Sequence, residues 1–119
     1  MRDFRKLEVW GKAHRFALEI YKCTAQFPTD ERFGLTQQLR RCSVSIASNI
    51  AEGAARKTDR DFARFVGMAI ASGSEAEYQL LLARDLGYID LDLHEELSNT
   101  AVGVRQMLIR LGQRLAQGA

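Results

Sequence analysis

The feature that most limits the possible folds is a spacing: apolar residues recur three and four positions apart over long, unbroken segments. At this period a side chain returns to the same face of an α-helix, whereas a strand would need strict alternation. The chain of 119 residues has a single proline, Pro28, and its nine glycines are scattered. Segments in which β-branched residues alternate with polar residues are also almost absent. The sequence therefore predicts an all-α protein.

Local signals place four helices and the turns between them. Pro28 ends the first helix and Gly87 ends the third. Thr58, followed by an acid three residues later, begins the third helix, and Asp90 is a natural N-cap for the fourth. Gly53 either ends the second helix in a left-handed conformation or lies inside that helix as a small residue. The helices are predicted at about residues 6–26, 35–55, 59–86 and 91–116.

Each predicted helix carries an apolar repeat of about 3.5 residues, and the connections are short. Helices of this kind pack as antiparallel neighbours at about 20° to one another. The sequence therefore predicts a single domain, residues 1–119, folded as an up-down-up-down antiparallel four-helix bundle. In the fourth helix the predicted core stripe is Leu97, Ala101, Val104, Leu108, Leu111 and Leu115.

Several apolar residues fall off the predicted core stripes. They are Val9, Phe16, Phe65 and Ile109, together with part of the run 80–83. Either the core faces of a monomer are wide, or some of this surface is buried between subunits. The second interpretation predicts a homo-oligomer.

Composition narrows the class of protein. With 46% hydrophobic and 27% charged residues, the chain fits one soluble globular domain. No run of about 18 uncharged apolar residues occurs, and the N-terminal stretch is charged, so neither membrane spanning nor export is indicated. Cys23 and Cys42 lack a CxxC spacing and are expected to be buried thiols in a reducing compartment, which indicates the cytoplasm. The formal net charge of +2 is too small to indicate nucleic-acid binding by itself.

The sequence offers little support for an enzyme. His14 and His94 lie in different predicted helices, and neither has a glutamate three positions before it, as the di-metal sites of helix bundles require. A nucleophile beside a histidine oriented by an acid is not apparent either. We therefore expect no metal, no cofactor and no catalytic residue.

A polar group interrupts the second helix. Ser45, Ser48, Asn49 and Glu52 share one helical face, because they lie three, four and seven positions apart. Ser74 and Glu77 on the third helix are expected opposite them. Either the six residues form a polar network that fixes the register of the bundle core, or they form a ligand or catalytic site around Asn49, Glu52 and Glu77. Of the two, the structural network is the favoured interpretation.

The middle of the third helix is unusually slim, with Gly67 and Gly73 among alanines and serines. An interior glycine costs about 1 kcal/mol relative to alanine, so this pattern predicts close approach of another helix.

Positive charge clusters around the turn between the second and third helices. Arg56, Lys57, Arg60 and Arg64 surround this turn, with Asp59 and Asp61 partly offsetting their charge. Such a cluster is either a solvated face or a phosphate-binding surface, which repetition in an oligomer would strengthen. Further candidate contacts to RNA or DNA phosphates are Arg40, Arg41, Arg105, Arg110 and Arg114.

Several motifs occur in order along the chain. They are FxxLxVW at residues 4–10, FP followed by ExFGL at 27–35, QLRRCSVSIASNIAEG at 38–53, GSxxE at 73–77 and LGYI at 86–89. Together they resemble the bacterial four-helix-bundle family whose members are also called large-subunit (23S) ribosomal RNA intervening-sequence proteins. The similarity covers residues 4 to about 110.

This resemblance implies a cytosolic four-helix bundle that assembles into a five-fold ring. Related accessory proteins of diversity-generating retroelements form such rings and use basic surface to bind nucleic acid and a partner reverse transcriptase, while the family has no established enzymatic activity. The leading hypothesis is therefore a non-enzymatic oligomeric bundle that binds RNA or DNA phosphates. The alternative is a protein–protein scaffold or interaction module without nucleic-acid binding.

Overall fold

Four long helices make up most of the computed structural model, which describes residues 2–118. Two short 3₁₀ turns, Phe4–Lys6 and Thr29–Glu31, precede the first and second helices, and residues 2–118 contain no strand. The observed helix bounds differ from the predicted ones by at most two residues, and the predicted domain extends one residue beyond the described range at each end. The all-α, four-helix prediction is confirmed. The helices are α1 (Glu8–Thr24), α2 (Leu35–Ala54), α3 (Asp59–Asp85) and α4 (Leu91–Gly118).

The helices run antiparallel, as contacts between α2 and α3 show. Cys42, in the first half of α2, reaches Gln79 near the end of α3, whereas Gly53 at the end of α2 meets Phe62 at the start of α3. Every helix packs against its two neighbours in the cycle α1–α2–α3–α4–α1, whereas no Cα atoms of the diagonal pairs lie within 8 Å of each other in residues 2–118. The bundle measures 45 × 22 × 20 Å.

The core follows the predicted stripes and extends beyond them. All six predicted core residues of α4 are buried. Val9, Phe16 and Phe65 are also buried within the monomer, with 5%, 0% and 4% of their surface exposed. The interpretation that these three face another subunit is therefore wrong, because a core-facing helix of a bundle buries an arc wider than a strict heptad seam. Ile109 remains 37% exposed.

The connection from α3 to α4 is set by its sequence. Gly87 adopts φ +79°, the left-handed region that glycine enters without strain. The Tyr88 N–H donates to the Ala83 carbonyl at 2.9 Å, and the Gly87 N–H donates to the Arg84 carbonyl at 2.9 Å, which is the Schellman pattern of a helix end. The Asp90 carboxylate then accepts from the Leu93 N–H at 2.8 Å and caps α4.

The two other glycine predictions have different outcomes. Gly53 lies inside α2, where an added Cβ would come within 2.8 Å of Phe62 Cδ1 and Phe65 Cβ, so its small size permits close packing of α2 on α3. Gly67, by contrast, is exposed and would place a Cβ in open space. The predicted close approach at the middle of α3 is therefore wrong for Gly67, while Gly73 is buried and a Cβ added to it would lie 4.0 Å from Ile46 Cδ1.

Candidate nucleic-acid interface

The polar group of α2 contributes one small hydrogen-bonded cluster. Ser45 Oγ lies 2.9 Å from Ser72 Oγ on α3, and Asn49 Nδ2 donates to the Ser45 carbonyl at 2.9 Å and to its hydroxyl at 3.0 Å. All three residues are half-buried. This cluster links α2 to α3 at the edge of the core.

The other predicted members lie elsewhere. Ser48, Glu52 and Ser74 are exposed, and their side chains make no hydrogen bond to residues 2–118. Glu77 instead accepts from Arg105 on α4, at 2.7 Å from Nε. The prediction of one network of six residues is therefore wrong: Ile46 and Ile50 turn inward on α2, which leaves the polar face at the rim.

The groove beside this cluster does not bring the predicted catalytic residues together. An open groove of about 510 Å³ runs between α2 and α3, and it is lined by Gln38, Arg41, Cys42, Ser45, Ser72 and Glu75. Asn49, Glu52 and Glu77 are not among these lining residues.

The cysteine beside that groove has an unreactive thiol. Cys42 is 5% exposed, and its thiol contacts the Gln79 side-chain oxygen at 3.3 Å. Burial, with a smaller contribution from the Glu75 charge, raises the pKa of Cys42 to about 12. Burial also raises the pKa of the half-buried Cys23 thiol. Because the thiolate is the nucleophile, both thiols are held in the unreactive form at neutral pH.

The basic turn between α2 and α3 is a defined structure. The guanidinium groups of Arg56 and Arg64 both lie 4.6 Å from the centre of the Phe65 ring. Both also pair with Asp61, at 3.7 and 3.1 Å. The Phe65 ring and the Asp61 carboxylate therefore both contact these two exposed arginines, through cation–π and ionic interactions.

Two further cations of this turn are free. Lys57 and Arg60 are exposed and form no ion pair with any residue in the range 2–118. The Asp61 N–H donates to Thr58 Oγ1 at 3.1 Å, which caps α3 as predicted and keeps Asp61 beside the arginines.

The N-terminal segment adds charge that sequence analysis missed. The Arg2 N–H donates to the Ala54 carbonyl at 3.1 Å, and the Arg2 guanidinium pairs with Asp59 and lies 5.0 Å from the Phe62 ring centre. This docking places the segment 2–6, with its basic residues, against the α2–α3 turn. Arg2 and Asp59 are 57 positions apart, so only the folded chain shows their proximity.

The remaining predicted cations do not share one surface with the turn. Arg40 is engaged within the monomer, where it donates to Thr24 Oγ1 at 2.8 Å and lies 4.6 Å from the Tyr21 ring centre. Arg105 pairs with Glu77, and this hydrogen bond and charge raise the pKa of Arg105. Arg41 is exposed near the start of α2, at the other end of the bundle from the turn. Arg110 and Arg114 are exposed on the last turns of α4, beside the start of α1.

Charge is segregated along the bundle's long axis. The antiparallel order brings residues 2–16, 45–72 and 105–118 to one half, which we call the basic half, and residues 17–44 and 73–104 to the acidic half. The basic half has twelve lysines and arginines against five acids, whereas the acidic half has five against ten. A chain of net charge +2 therefore presents formal charges of about +7 and −5 at its two ends.

The described residues show neither a metal cluster nor a membrane span. No three or more His, Cys, Asp and Glu side chains within residues 2–118 come together in a way that could hold a metal ion. None of the four helices has the length and apolarity needed to cross a bilayer.

Comparison with known proteins gives a family and a structural neighbour. Residues 5–110 match the family described as 23S rRNA-intervening sequence protein. A crystal structure of a protein with unknown function from the S23 ribosomal protein family of Bacteroides thetaiotaomicron superposes with a TM-score of 0.78 at 27% identity, covering 87% of this chain and 96% of that one. No curated protein matches the sequence. Neither of these two matches indicates catalysis. Since the match spans most of its length, the chain belongs to the family of 23S rRNA-intervening sequence proteins.

Proposed function

We propose that this protein is a non-enzymatic binding protein that contacts RNA or DNA phosphates through its basic half. The observation that carries the proposal is the segregation of charge, with twelve cations against five acids in one half of the bundle. Phosphate backbones bind mainly by this kind of field, because each contact releases condensed counterions. The family description, which refers to 23S rRNA, makes RNA a sensible first ligand to test.

The contacts follow from which cations are free. Lys57 and Arg60 supply the exposed charges, and Arg56 and Arg64, held by Phe65 and Asp61, supply fixed donors beside them. Arg110 and Arg114 add charge from α4 in the same half. Arg40 and Arg105 are engaged within the monomer, and Arg41 lies in the acidic half. These three predicted cations are therefore not expected to contact the phosphates.

The test is binding of labelled RNA and DNA, measured by fluorescence anisotropy as salt rises from about 50 to 200 mM. The double variant Lys57→Glu/Arg60→Glu is expected to lose most of the affinity, while Lys22→Glu/Arg41→Glu, an equal charge change in the acidic half, is expected to lose little. If the native chain fails to bind at low salt, or if both variants weaken binding equally, the proposal is wrong.

The cytoplasm is the compartment that we propose. Cys23 and Cys42 are both free thiols, which is the usual state of cysteines in a reducing environment. A sensor of thiol redox state fused to the full chain in its host would report an oxidising potential if this placement were wrong.

We further propose that copies of the chain associate, with a five-fold ring as the expected assembly. The surface of this assembly is the basis of the alternative scaffold function. An apolar groove of about 430 Å³ between α1 and α2 supports this proposal. Leu18, Tyr21 and Val44 line the groove and are 57%, 45% and 40% exposed. Apolar Met68 and Leu81 are exposed on α3, so a second copy could cover the groove in a head-to-tail contact, which closes into a ring when the rotation allows.

Sedimentation velocity tests self-association. Leu18→Glu is expected to reduce the assembly to monomers, whereas Leu91→Glu, at a residue 71% exposed outside the groove, is expected to leave it unchanged. A native chain that sediments as a monomer would contradict the proposed ring. If that chain also fails to bind nucleic acid, capture of a protein partner that survives nuclease treatment would support the scaffold alternative.

A further inference from the structure

Two separate groups of cations lie in the basic half, on opposite sides of the bundle. The first, which we call the turn edge, is the side where α2 and α3 meet, and it carries Lys57 and Arg60. The second, the groove edge, lies where α1 and α4 meet. In a closed cycle of four helices these two sides lie opposite each other across a cross-section of 22 × 20 Å. The two edges therefore lie about one bundle width apart.

The groove edge is a broad, charged channel. A groove of about 560 Å³ runs between α1 and α4, lined by Lys12, Arg15 and Arg110 among other residues, and Arg114 continues it toward the end of α4. Arg15, Arg110 and Arg114 form no ion pair within residues 2–118. Two acids, Glu8 and Glu19, also line the groove, and Glu8 lies 3.9 Å from the exposed Lys12 ammonium. Cations outnumber acids four to two along this edge, which leaves it basic.

The two aromatic rings beside the turn edge are covered, and those of Phe4 and Trp10 lie at the apolar groove between α1 and α2, away from both basic edges. Phe62 and Phe65 are 0% and 4% exposed and lie beneath arginines. The Trp10 ring stacks on His14, with 5.0 Å between centroids and 5° between planes, and the Phe4 ring contacts Trp10 at 4.9 Å. Proteins that hold single strands stack bases on exposed aromatic faces, whereas double helices are held chiefly through their phosphate backbones.

We infer that the basic half binds double-helical nucleic acid in preference to single strands, with the turn edge and the groove edge each contacting a different stretch of phosphates. This inference rests on the proposed function and names its ligand class. A double helix that lies across the basic end of the bundle presents two rows of phosphates to that end, so the two edges, one on each side of the end, can be engaged together. A flexible single strand offers no fixed second row of phosphates, and it finds no exposed aromatic ring along either basic edge within residues 2–118.

The experiment compares a duplex of about 20 base pairs, longer than the ~16 base pairs that a duplex-RNA-binding domain spans, with its two separated strands. Affinity is measured from about 50 to 200 mM salt for the native full-length chain and three variants. The variants are Lys57→Ala/Arg60→Ala at the turn edge, Arg110→Ala/Arg114→Ala at the groove edge, and Lys22→Ala/Arg41→Ala in the acidic half as the control. RNA and DNA duplexes are run in parallel, because the two share the phosphate rows but differ in groove shape. Circular dichroism melting confirms that each variant is folded.

The duplex is expected to bind at least about tenfold more tightly than either strand at the same salt, since both edges contribute contacts. Each edge variant is expected to reduce the slope of log K against log salt by about two, at ~0.9 for each lost phosphate contact, and the control is expected to leave it unchanged. Equal affinity for strands and duplex, or a slope that only one edge variant changes, would overturn the inference and leave the proposed function standing. Failure of strands and duplex alike at low salt would overturn both.

Discussion

At the scale of single residues, Gly53 supports the basic turn by being small. Its missing Cβ leaves room for Phe62 and Phe65, the two rings beneath Arg2, Arg56 and Arg64. We expect Gly53→Ala to reduce the free energy of unfolding by about 1–3 kcal/mol, because an added methyl group would have to displace the buried Phe62 ring and the Phe65 Cβ atom. Chemical denaturation measures this loss.

Gly67→Ala is the matched control for that substitution. It adds the same methyl group to a helix interior, but at an exposed position. Apart from the adjacent backbone of α3, no atom lies within 4 Å of the added Cβ. The free energy of unfolding is therefore expected to rise by about 0.5–1 kcal/mol, the usual helical preference for alanine over glycine. Equal changes in stability for both substitutions would show that the contact of residue 53 with Phe62 and Phe65 does not determine the effect of Gly53→Ala.

The buried thiol of Cys42 gives a prediction about reactivity. A pKa raised to about 12, from an ordinary value of 9.0, leaves roughly 1000-fold less thiolate near neutral pH. In a Cys23→Ser background, an aromatic disulfide reagent at pH 8 is expected to modify Cys42 far more slowly in the native chain than in denaturant. Similar rates in both conditions would show that α2 and α3 separate readily around this residue.

At the scale of the elements, the two connections in the acidic half are joined by one hydrogen bond. Glu31, in the 3₁₀ turn before α2, accepts from the Tyr88 hydroxyl at 2.7 Å and from the Leu35 N–H at 3.1 Å. These two bonds, Tyr88 first, hold the pKa of Glu31 below its ordinary value of 4.5. A lowered carboxyl pKa stabilises the fold above the unfolded-state value, and this contribution is lost as pH falls through the folded-state value.

Tyr88→Phe is therefore expected to destabilise the chain more at pH 7 than at acid pH, because protonation of Glu31 removes the charge that its bond to Tyr88 favours. The ring and its contact with Phe27, at 5.3 Å, are retained in this variant. Tyr78→Phe is the control, because Tyr78 is 61% exposed and makes no side-chain hydrogen bond to residues 2–118. Melting temperatures across this pH range measure both, and a pH-independent difference for Tyr88→Phe would exclude the Glu31 bond as its cause.

How much the sequence predicts differs between the elements for a physical reason. The stripe of α4 was predicted residue for residue, because a heptad pattern depends only on local spacing. On α2 the polar face that includes Asn49 was expected to fix the register of the core, whereas Asn49 is half-buried and Ile50 is the residue that is fully buried. The arc that a helix buries depends on how far its neighbours wrap around it, and single-sequence periodicity does not contain that quantity.

The candidate interface was predictable only in its local part. Arg56, Lys57, Arg60 and Arg64 are close in sequence and were identified as a cluster. The Phe65 and Asp61 contacts that hold two of these arginines, and the docking of Arg2, depend on the way the turn folds. Arg40 was a candidate contact by composition, and its bond to Thr24 could not be anticipated from spacing.

At the scale of the whole molecule, the segregation of charge arises from topology. Charges at residues 2–16, 45–72 and 105–118 are dispersed in sequence, and antiparallel packing brings them to one half. A net charge of +2 therefore understates how strongly the chain attracts an anionic surface, because a bound surface meets one end of the bundle and not the average charge.

Two double variants separate the local field from net charge without any nucleic acid. Lys57→Glu/Arg60→Glu and Lys22→Glu/Arg41→Glu both change the formal charge from +2 to −2. On a sulfonate cation exchanger at pH 7, the first variant is expected to elute at much lower salt than the native chain, and the second close to the native position. Since the two variants have the same net charge, only the location of the charge can produce that difference, and coincident elution would show that the two halves do not act as separate fields.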